Sequence, residues 1–424
     1  MKSILNYVVV LVMAVMAVGC VEQAKKTNDK NPEDILGNPN YLAISYGGYR
    51  ETTREIQPTI AELKEDMIIL EALNIKFLRT YNTKLKQASN LLEAIKQLKA
   101  EDPNFEMYVM LGAWIDCENA WTELPPNHEV EDVEANTAEI ERAVAMANAY
   151  PDIVKIISVG NEAMVHWATS YFVQPNVILK WVNYLQDLKK IEKLPENLWI
   201  TSSDNFASWG GGDASYHKED LTALLQAVDY VSIHTYPFHD THYNPTFWYP
   251  SSDEENLSKV EKVNAAMQRA KDYAISQFQS TKKYMDSLGI NKPIHIGETG
   301  WSSYSDGQYS ATGSKATDEF KQKLFYDAMR KWTNKAGMSC FYFEAFNEQW
   351  KDAKNPNGSE NYFGIINLDN QVKYVLWNAF DQGVFEGLTR NNKPLTKTYD
   401  GDENKLLQDV YLPVLTNNVT NTTN

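Results

Sequence analysis

From Tyr41 onward the chain alternates short, dense apolar runs with longer stretches in which apolar residues recur every three or four positions. The first pattern belongs to strands buried on both faces, the second to amphipathic helices. Eight runs predict strands: Tyr41–Tyr46, Ile75–Tyr81, Glu106–Ala113, Ile153–Val159, Leu198–Ser203, Tyr230–Thr235, Pro293–Gly297 and Ser339–Phe343. Helical spacing covers Ile60–Leu73, Leu91–Lys99, Thr137–Ala149, Val177–Lys190, Leu221–Ala227, Ala265–Leu288 and Thr317–Lys335. Such alternation predicts βα units around a parallel sheet. Eight strands in one chain favour an α/β fold of the single (β/α)8 TIM barrel type over an open doubly wound sheet. A nucleotide-binding open sheet would carry a GxGxxG turn after its first strand, and Gly47-Gly48 lacks that spacing.

Composition removes several function classes. A length of 424 residues suits one barrel with insertions. The 56 Asp and Glu against 40 Lys and Arg argue against a nucleic-acid partner. No CxxC or HExxH spacing occurs, so neither metal nor cofactor is expected. His166, His234, His239 and His242 lack metal-ligand spacing and are assigned hydrogen-bonding roles. Cys117 and Cys340 are expected to be free and buried. Nothing points to oligomerisation, so a monomer is expected.

The ends carry a different signal. Lys2, the apolar run Ile4 to Val18 and the exit Ala17-Val18-Gly19-Cys20 resemble a bacterial lipoprotein signal. Residues 1–19 are then a signal peptide, and Cys20 is the lipidated residue that ties the protein to a membrane. Residues 20–38 read as a flexible tether, 39–400 as the barrel and 401–424 as a C-terminal extension with a disordered end. Val21 gives no inner-membrane retention signal, so the expected location is the cell envelope, at the outer membrane.

The chemistry gathers where barrel strands end, the side on which barrel enzymes place their active sites. Strand two leads into Arg79-Thr80-Tyr81-Asn82, strand three into Trp114-Ile115-Asp116, strand four into Asn161-Glu162 and strand five into Asp204-Asn205 with Trp209. Strand six leads into His234-Thr235-Tyr236-Pro237, strand seven into Glu298 with Trp301, and strand eight into Glu344 through Glu348. Two apolar runs each end on a glutamate beside a glycine, at Glu162 and Glu298. A buried carboxylate is costly unless it is paired or used. Two delivered to one rim form the minimal apparatus of glycoside hydrolysis.

Val159-Gly160-Asn161-Glu162-Ala163 and Gly297-Glu298-Thr299-Gly300-Trp301-Ser302-Ser303 resemble the two signatures of glycoside hydrolase family 17, the β-1,3-glucanases and glucanosyltransferases. Further matches are Tyr46-Gly47-Gly48-Tyr49-Arg50, Arg79-Thr80-Tyr81, Tyr236-Pro237 and Phe343 through Lys351, in the family's order. The resemblance makes Glu162 the general acid/base and Glu298 the nucleophile of a retaining mechanism on laminarin-like β-glucan. It also implies that Glu348, Lys351 and Glu360 line the floor near the nucleophile. Glu298 should then have donors nearby, with Tyr236 a candidate, and Glu162 should have a raised pKa. Asn161 would bond the sugar 2-hydroxyl or position Glu298. Trp114, Trp209, Trp301 and Trp350 are candidate sugar-stacking platforms, with core packing the competing role for each. Glu344 is open between function and an ion pair. Three further readings remain: a β-1,3-glucanosyltransferase, a non-catalytic glycan-binding lipoprotein, and a barrel glycosidase of another specificity such as a galactanase. Phe346-Asn347-Glu348-Gln349-Trp350-Lys351 argues against the last.

Overall fold

The computed structural model describes residues 30–413. Cys20, the signal segment and the Asn/Thr-rich end from Thr416 lie outside them. Eight parallel strands close a barrel: β1 (Leu42–Ser45), β2 (Ile75–Arg79), β3 (Tyr108–Ala113), β4 (Val154–Asn161), β5 (Trp199–Asn205), β6 (Val231–His234), β7 (Ile294–Gly300) and β8 (Cys340–Phe343). Each strand pairs with its sequence neighbours, and the Ile44–Tyr342 register joins β1 to β8. The helices α1 (Ile60–Ala72), α2 (Lys86–Glu101), α3 (Val133–Ala149), α4 (Pro175–Lys190), α5 (Glu219–Ala227), α6 (Lys259–Ser287) and α7 (Glu319–Ala336) follow the first seven strands.

The dense apolar runs have a simple cause: alternate residues of each strand enter different cores. Ala43, Phe77, Met110, Ile156 and Phe341 pack together in one cluster within the barrel. Their neighbours Ile44, Leu78, Leu111, Ile157 and Tyr342 belong to a second cluster shared with the helices. Pro32–Ile35 lies in the stretch read as a flexible tether but is a helical turn, with Ile35 buried against the inner cluster. At the other end, Glu403–Gln408 in the expected extension buries Leu406 in the helix-side core. The fold boundaries therefore lie outside those drawn at residues 39 and 400, because these flanks supply apolar cover.

Three predicted strands end too early, the fifth by two residues, since β5 runs to Asn205. β4 runs on to Asn161, and β7 passes through Glu298 to Gly300, where Thr299 and Gly300 pair with Tyr342 and Phe343. The hairpin between β3 and α3, Cys117–Glu118 with Asn127–Glu131, went unpredicted because it is short and polar. Cys117 and Cys340 are free and buried. Among the described residues, no helix is long and apolar enough to cross a membrane.

Candidate active site

A cleft of about 1750 Å³ opens over the C-terminal ends of the strands, with Asn161, Glu162, Tyr236 and Glu298 in its lining. Glu298 lies within β7, opposite His234 of β6, and is almost fully buried. Gly297 beside it has a packing reason, since a Cβ there would come within 2.1 Å of Ser232 Oγ and 2.3 Å of Ser203 Oγ. Those hydroxyls need the space: Ser203 Oγ bonds Ser232 Oγ and His234 Nε2, each at 2.8 Å. His234 is thus clamped from behind, and its Nδ1 faces the two glutamates.

Glu162 arrives differently. Gly160 adopts φ +80°, the register between β4 and β5 shifts after Ser158, and Glu162 itself sits at φ +47°. A non-glycine residue in left-handed backbone costs about 1–2 kcal/mol and persists only where neighbours impose it. Here Glu162 N–H donates to Ser203 O at 3.0 Å. The bulge turns the side chain towards His234, whose Nδ1 lies 3.0 Å from Glu162 Oε1 and 3.7 Å from Glu298 Oε2.

One oxygen of each glutamate and a His234 ring nitrogen lie within 4.8 Å of one another. Oxygens this close suit the carboxyl separation of a retaining pair, about 5–5.5 Å, better than the ~6.5–9.5 Å that leaves room for an inverting water. The same trio has the reach to embrace a cation. The Arg79 guanidinium already engages Glu298 Oε1, and its fixed charge opposes a second cation there.

The environments of the two carboxyls diverge. Burial pushes Glu298 up, but His234, Arg79 and a Tyr236 hydroxyl donating to Oε2 at 2.7 Å outweigh it and hold its pKa at about 2. Burial lowers the His234 pKa to about 4. The imidazole is therefore charged only where Glu298 itself begins to titrate; at neutral pH Arg79 supplies the positive charge in direct contact with Glu298. Glu162 has no such cation of its own. Burial and the Glu298 charge raise its pKa well above the ordinary range, and Arg79 offsets this only in part. Behind Glu162, Asp204 accepts from Met164 N–H at 2.7 Å and Ser208 Oγ at 2.9 Å, and burial lifts its pKa to about 7.

Most other predicted residues gather around this pair. Arg79 donates to Asn161 Oδ1 at 2.6 Å, so Asn161 and Glu298 share one guanidinium, which stacks over the Tyr81 ring at 4.8 Å. Trp114, Trp350, Glu348 and Lys351 line the cleft. Lys351 Nζ lies 3.6 Å from Glu344 Oε2 and 3.5 Å from Glu348 Oε2, and Trp350 Nε1 donates to Glu348 at 3.0 Å. Glu344 is thereby an ion-pair partner.

Two expectations need correction. Trp209 and Trp301 are fully buried, and their indole N–H groups donate to Ser232 O and Ala316 O, so neither offers a face to a sugar. Both pack among the helix-side core because their strand-end loops turn inward. Glu360 lines the same cleft, and its charge acts on Lys351, Glu344 and Glu162, although its side chain is 43% exposed and lies 3.8 Å from His239 Nε2. The loop at 355–358, braced by Asn361 Nδ2 donating to Asp352 O and Asn355 O at 3.1 Å, carries it to the rim. The bridging position of His234 was missed, since its contacts come from β4, β5 and β7, far away in sequence.

A family model described as the BtgE/BtgC glycoside hydrolase domain matches residues 43–364. Among solved structures, an endo-laminarinase from Formosa Hel1_33_131 is 62% identical, with a TM-score of 0.90 over 93% of this chain and 100% of that one. A glucan 1,3-beta-glucosidase of Arthroderma benhamiae is 25% identical over 274 residues, 63% of this chain and 70% of that protein. A probable glucan endo-1,3-beta-glucosidase of Aspergillus flavus is 24% identical over 362 residues, 80% of this chain, which spans only 44% of that longer relative. An active-site mutant of Rhizomucor miehei beta-1,3-glucanosyltransferase, in complex with laminaritriose, shares the fold at 17% identity and a TM-score of 0.54, over 79% of this chain and 96% of that one.

Proposed function

This chain belongs to the BtgE/BtgC glycoside hydrolase family, and on that footing we propose a retaining, endo-acting hydrolase of β-1,3-glucan such as laminarin. The observation that carries the reading is the split pair: two carboxyls at retaining distance, one held ionised at a pKa of about 2 and the other pushed up by burial. The Formosa endo-laminarinase, similar over its whole length, supports the substrate and the endo mode. The quoted sequence signatures support a place within glycoside hydrolase family 17.

In this mechanism the Glu298 carboxylate attacks the anomeric carbon while Glu162 gives its proton to the departing glycosidic oxygen. The C–O bond to the leaving chain breaks, and an ester to Glu298 forms. That ester removes the negative charge that had raised the Glu162 pKa, so Glu162, now a carboxylate, can take a proton from water. The water attacks the same carbon, and Glu298 leaves with the original configuration restored. Arg79 and Tyr236 stabilise the Glu298 carboxylate before attack and on release. The Asn161 amide, its oxygen engaged by Arg79, has N–H groups left to meet a sugar hydroxyl.

Time-resolved product analysis on soluble laminarin and β-1,3-gluco-oligosaccharides tests the proposal. A ladder of short oligosaccharides early in the reaction is expected. Glucose alone would indicate exo action, products longer than the substrate a transferase, and turnover only on another β-glycan would overturn the substrate. A monomer lipidated on Cys20 at the outer membrane belongs to the same reading, on the strength of the N-terminal pattern. Alkyne-fatty-acid labelling that is lost in Cys20→Ala tests it.

A further inference from the structure

Trp121, Trp167 and Tyr243 all line the cleft with their side chains largely exposed. Trp121 lies between the strands of the hairpin that follows β3, and it is 62% exposed although it lines the cleft. A single exposed tryptophan means little. This one, however, is immobilised. Its indole stacks on Tyr171, with ring centroids 5.1 Å apart and planes 21° apart, and its Nε1 donates to Asp116 Oδ1 at 2.9 Å. The same Asp116 oxygen accepts from Trp114 Nε1 at 2.7 Å, and Trp114 packs on Tyr171 at 5.0 Å. Asp116 is itself held by its backbone: its N–H donates to Asn136 Oδ1 and its carbonyl accepts from Asn136 Nδ2, both at 2.9 Å.

The backbone at Trp121 is left-handed, φ +63°, a conformation unfavourable for a bulky side chain. So a large apolar ring is fixed by a stack, a hydrogen bond and a strained backbone, yet its outer face covers no protein. Folding gains little from that outer face. A ligand with an apolar face gains a rigid surface whose ordering is already complete. The C–H face of a β-glucosyl ring is such a ligand, and indoles combine the required flat apolar area with a polar edge.

The position of Trp121 sets it away from the catalytic pair. The Tyr171 hydroxyl donates to Asn161 O at 3.4 Å, so the stack extends from the residue next to Glu162, and Trp121 is one ring further out. We infer that Trp121 forms a distal subsite for a β-1,3-linked glucosyl residue removed from the cleaved bond, with Asp116 locking its indole and Trp114 flanking it. This subsite rests on the proposed function and sets a preference for chains long enough to reach it.

The test is kcat/KM for laminarin and for β-1,3-gluco-oligosaccharides of increasing length, with the unaltered enzyme, Trp121→Ala and Trp121→Phe. Trp121→Ala is expected to lose about 3- to 10-fold on laminarin, the scale of one ring stack, through KM with kcat preserved. The shortest cleaved oligosaccharide should react unchanged, and Trp121→Phe should recover part of the loss on laminarin. Binding of long oligosaccharides to Glu298→Gln should weaken by the same factor when Trp121→Ala is added. Equal losses on short and long chains, or none on either, would overturn the subsite while leaving the hydrolase intact. Failure of the unaltered enzyme to cleave any β-1,3-glucan would overturn the proposed function and the subsite with it.

Discussion

Two carboxylate pairs sit at the same barrel rim, each beside one cation, buried Arg79 or partly exposed Lys351, and they end in opposite states. Lys351 stands almost equally far from Glu344 and Glu348, 3.6 and 3.5 Å, and burial raises both carboxyls despite it. Of the other pair Arg79 touches only Glu298, leaving Glu162 to burial and to its neighbour's charge. A shared cation treats its partners alike, whereas an unshared one drives them apart. Only the second arrangement yields a nucleophile and an acid at one pH. Composition does not separate the pairs; which oxygen the cation reaches does.

The contrast breaks first at Glu298. Glu298→Ala should cut laminarin turnover on the order of 10⁴-fold or more, with circular dichroism unchanged. Azide should restore activity and give the α-glycosyl azide; the β-azide would exchange the roles of the two glutamates. Glu162→Gln should cost roughly 10²- to 10⁴-fold on laminarin, with a much smaller loss on aryl glucosides whose leaving group needs no proton. Equal losses on both substrates would remove Glu162 as the acid.

The cations sharpen the contrast. Arg79→Met takes away the charge that depresses Glu298, so its pKa rises from about 2 and the acid limb of the pH–kcat/KM profile moves to higher pH. An unmoved limb would mean that Arg79 does not set the nucleophile's charge. Lys351→Met takes the cation from two buried carboxyls, of which Glu348 keeps the Trp350 Nε1 donor, and should cost about 3–5 kcal/mol of stability, read by thermal or denaturant unfolding, with a far smaller movement of that acid limb. The smallest effect concerns Glu162 and folding. Its pKa is raised in the folded state, so its contribution to stability is full below the unfolded value of about 4.3 and falls as pH rises from there. Glu162→Gln should therefore be more thermostable relative to the unaltered protein at pH 8 than at pH 4; the reverse order would show that Glu162 is not raised.

The barrel was legible because its strands are buried on both faces, leaving eight dense apolar runs. The glutamates were legible because each closes such a run within two residues of a glycine. The reason for Gly297, two serine hydroxyls from β5 and β6, is visible only once those strands are side by side. His234 escaped for the same cause: in sequence it merely ends an apolar run, and its clamp comes from Ser203. Tryptophans after strands look alike until the loop direction is known, which is why Trp114 and Trp350 face the cleft while Trp209 and Trp301 do not. Trp121 lies in a polar stretch with no period at all, and its locking partners are distributed over three segments.

Retention by a nucleophile–acid pair is tested most sharply by the anomeric configuration of the first product. Proton NMR of a β-1,3-gluco-oligosaccharide digest, recorded before mutarotation, should show the new reducing end appearing as the β-anomer, with the α signal growing in later. An α-anomer formed first would mean inversion and would contradict both Glu298 as the nucleophile and Glu162 as its acid/base partner.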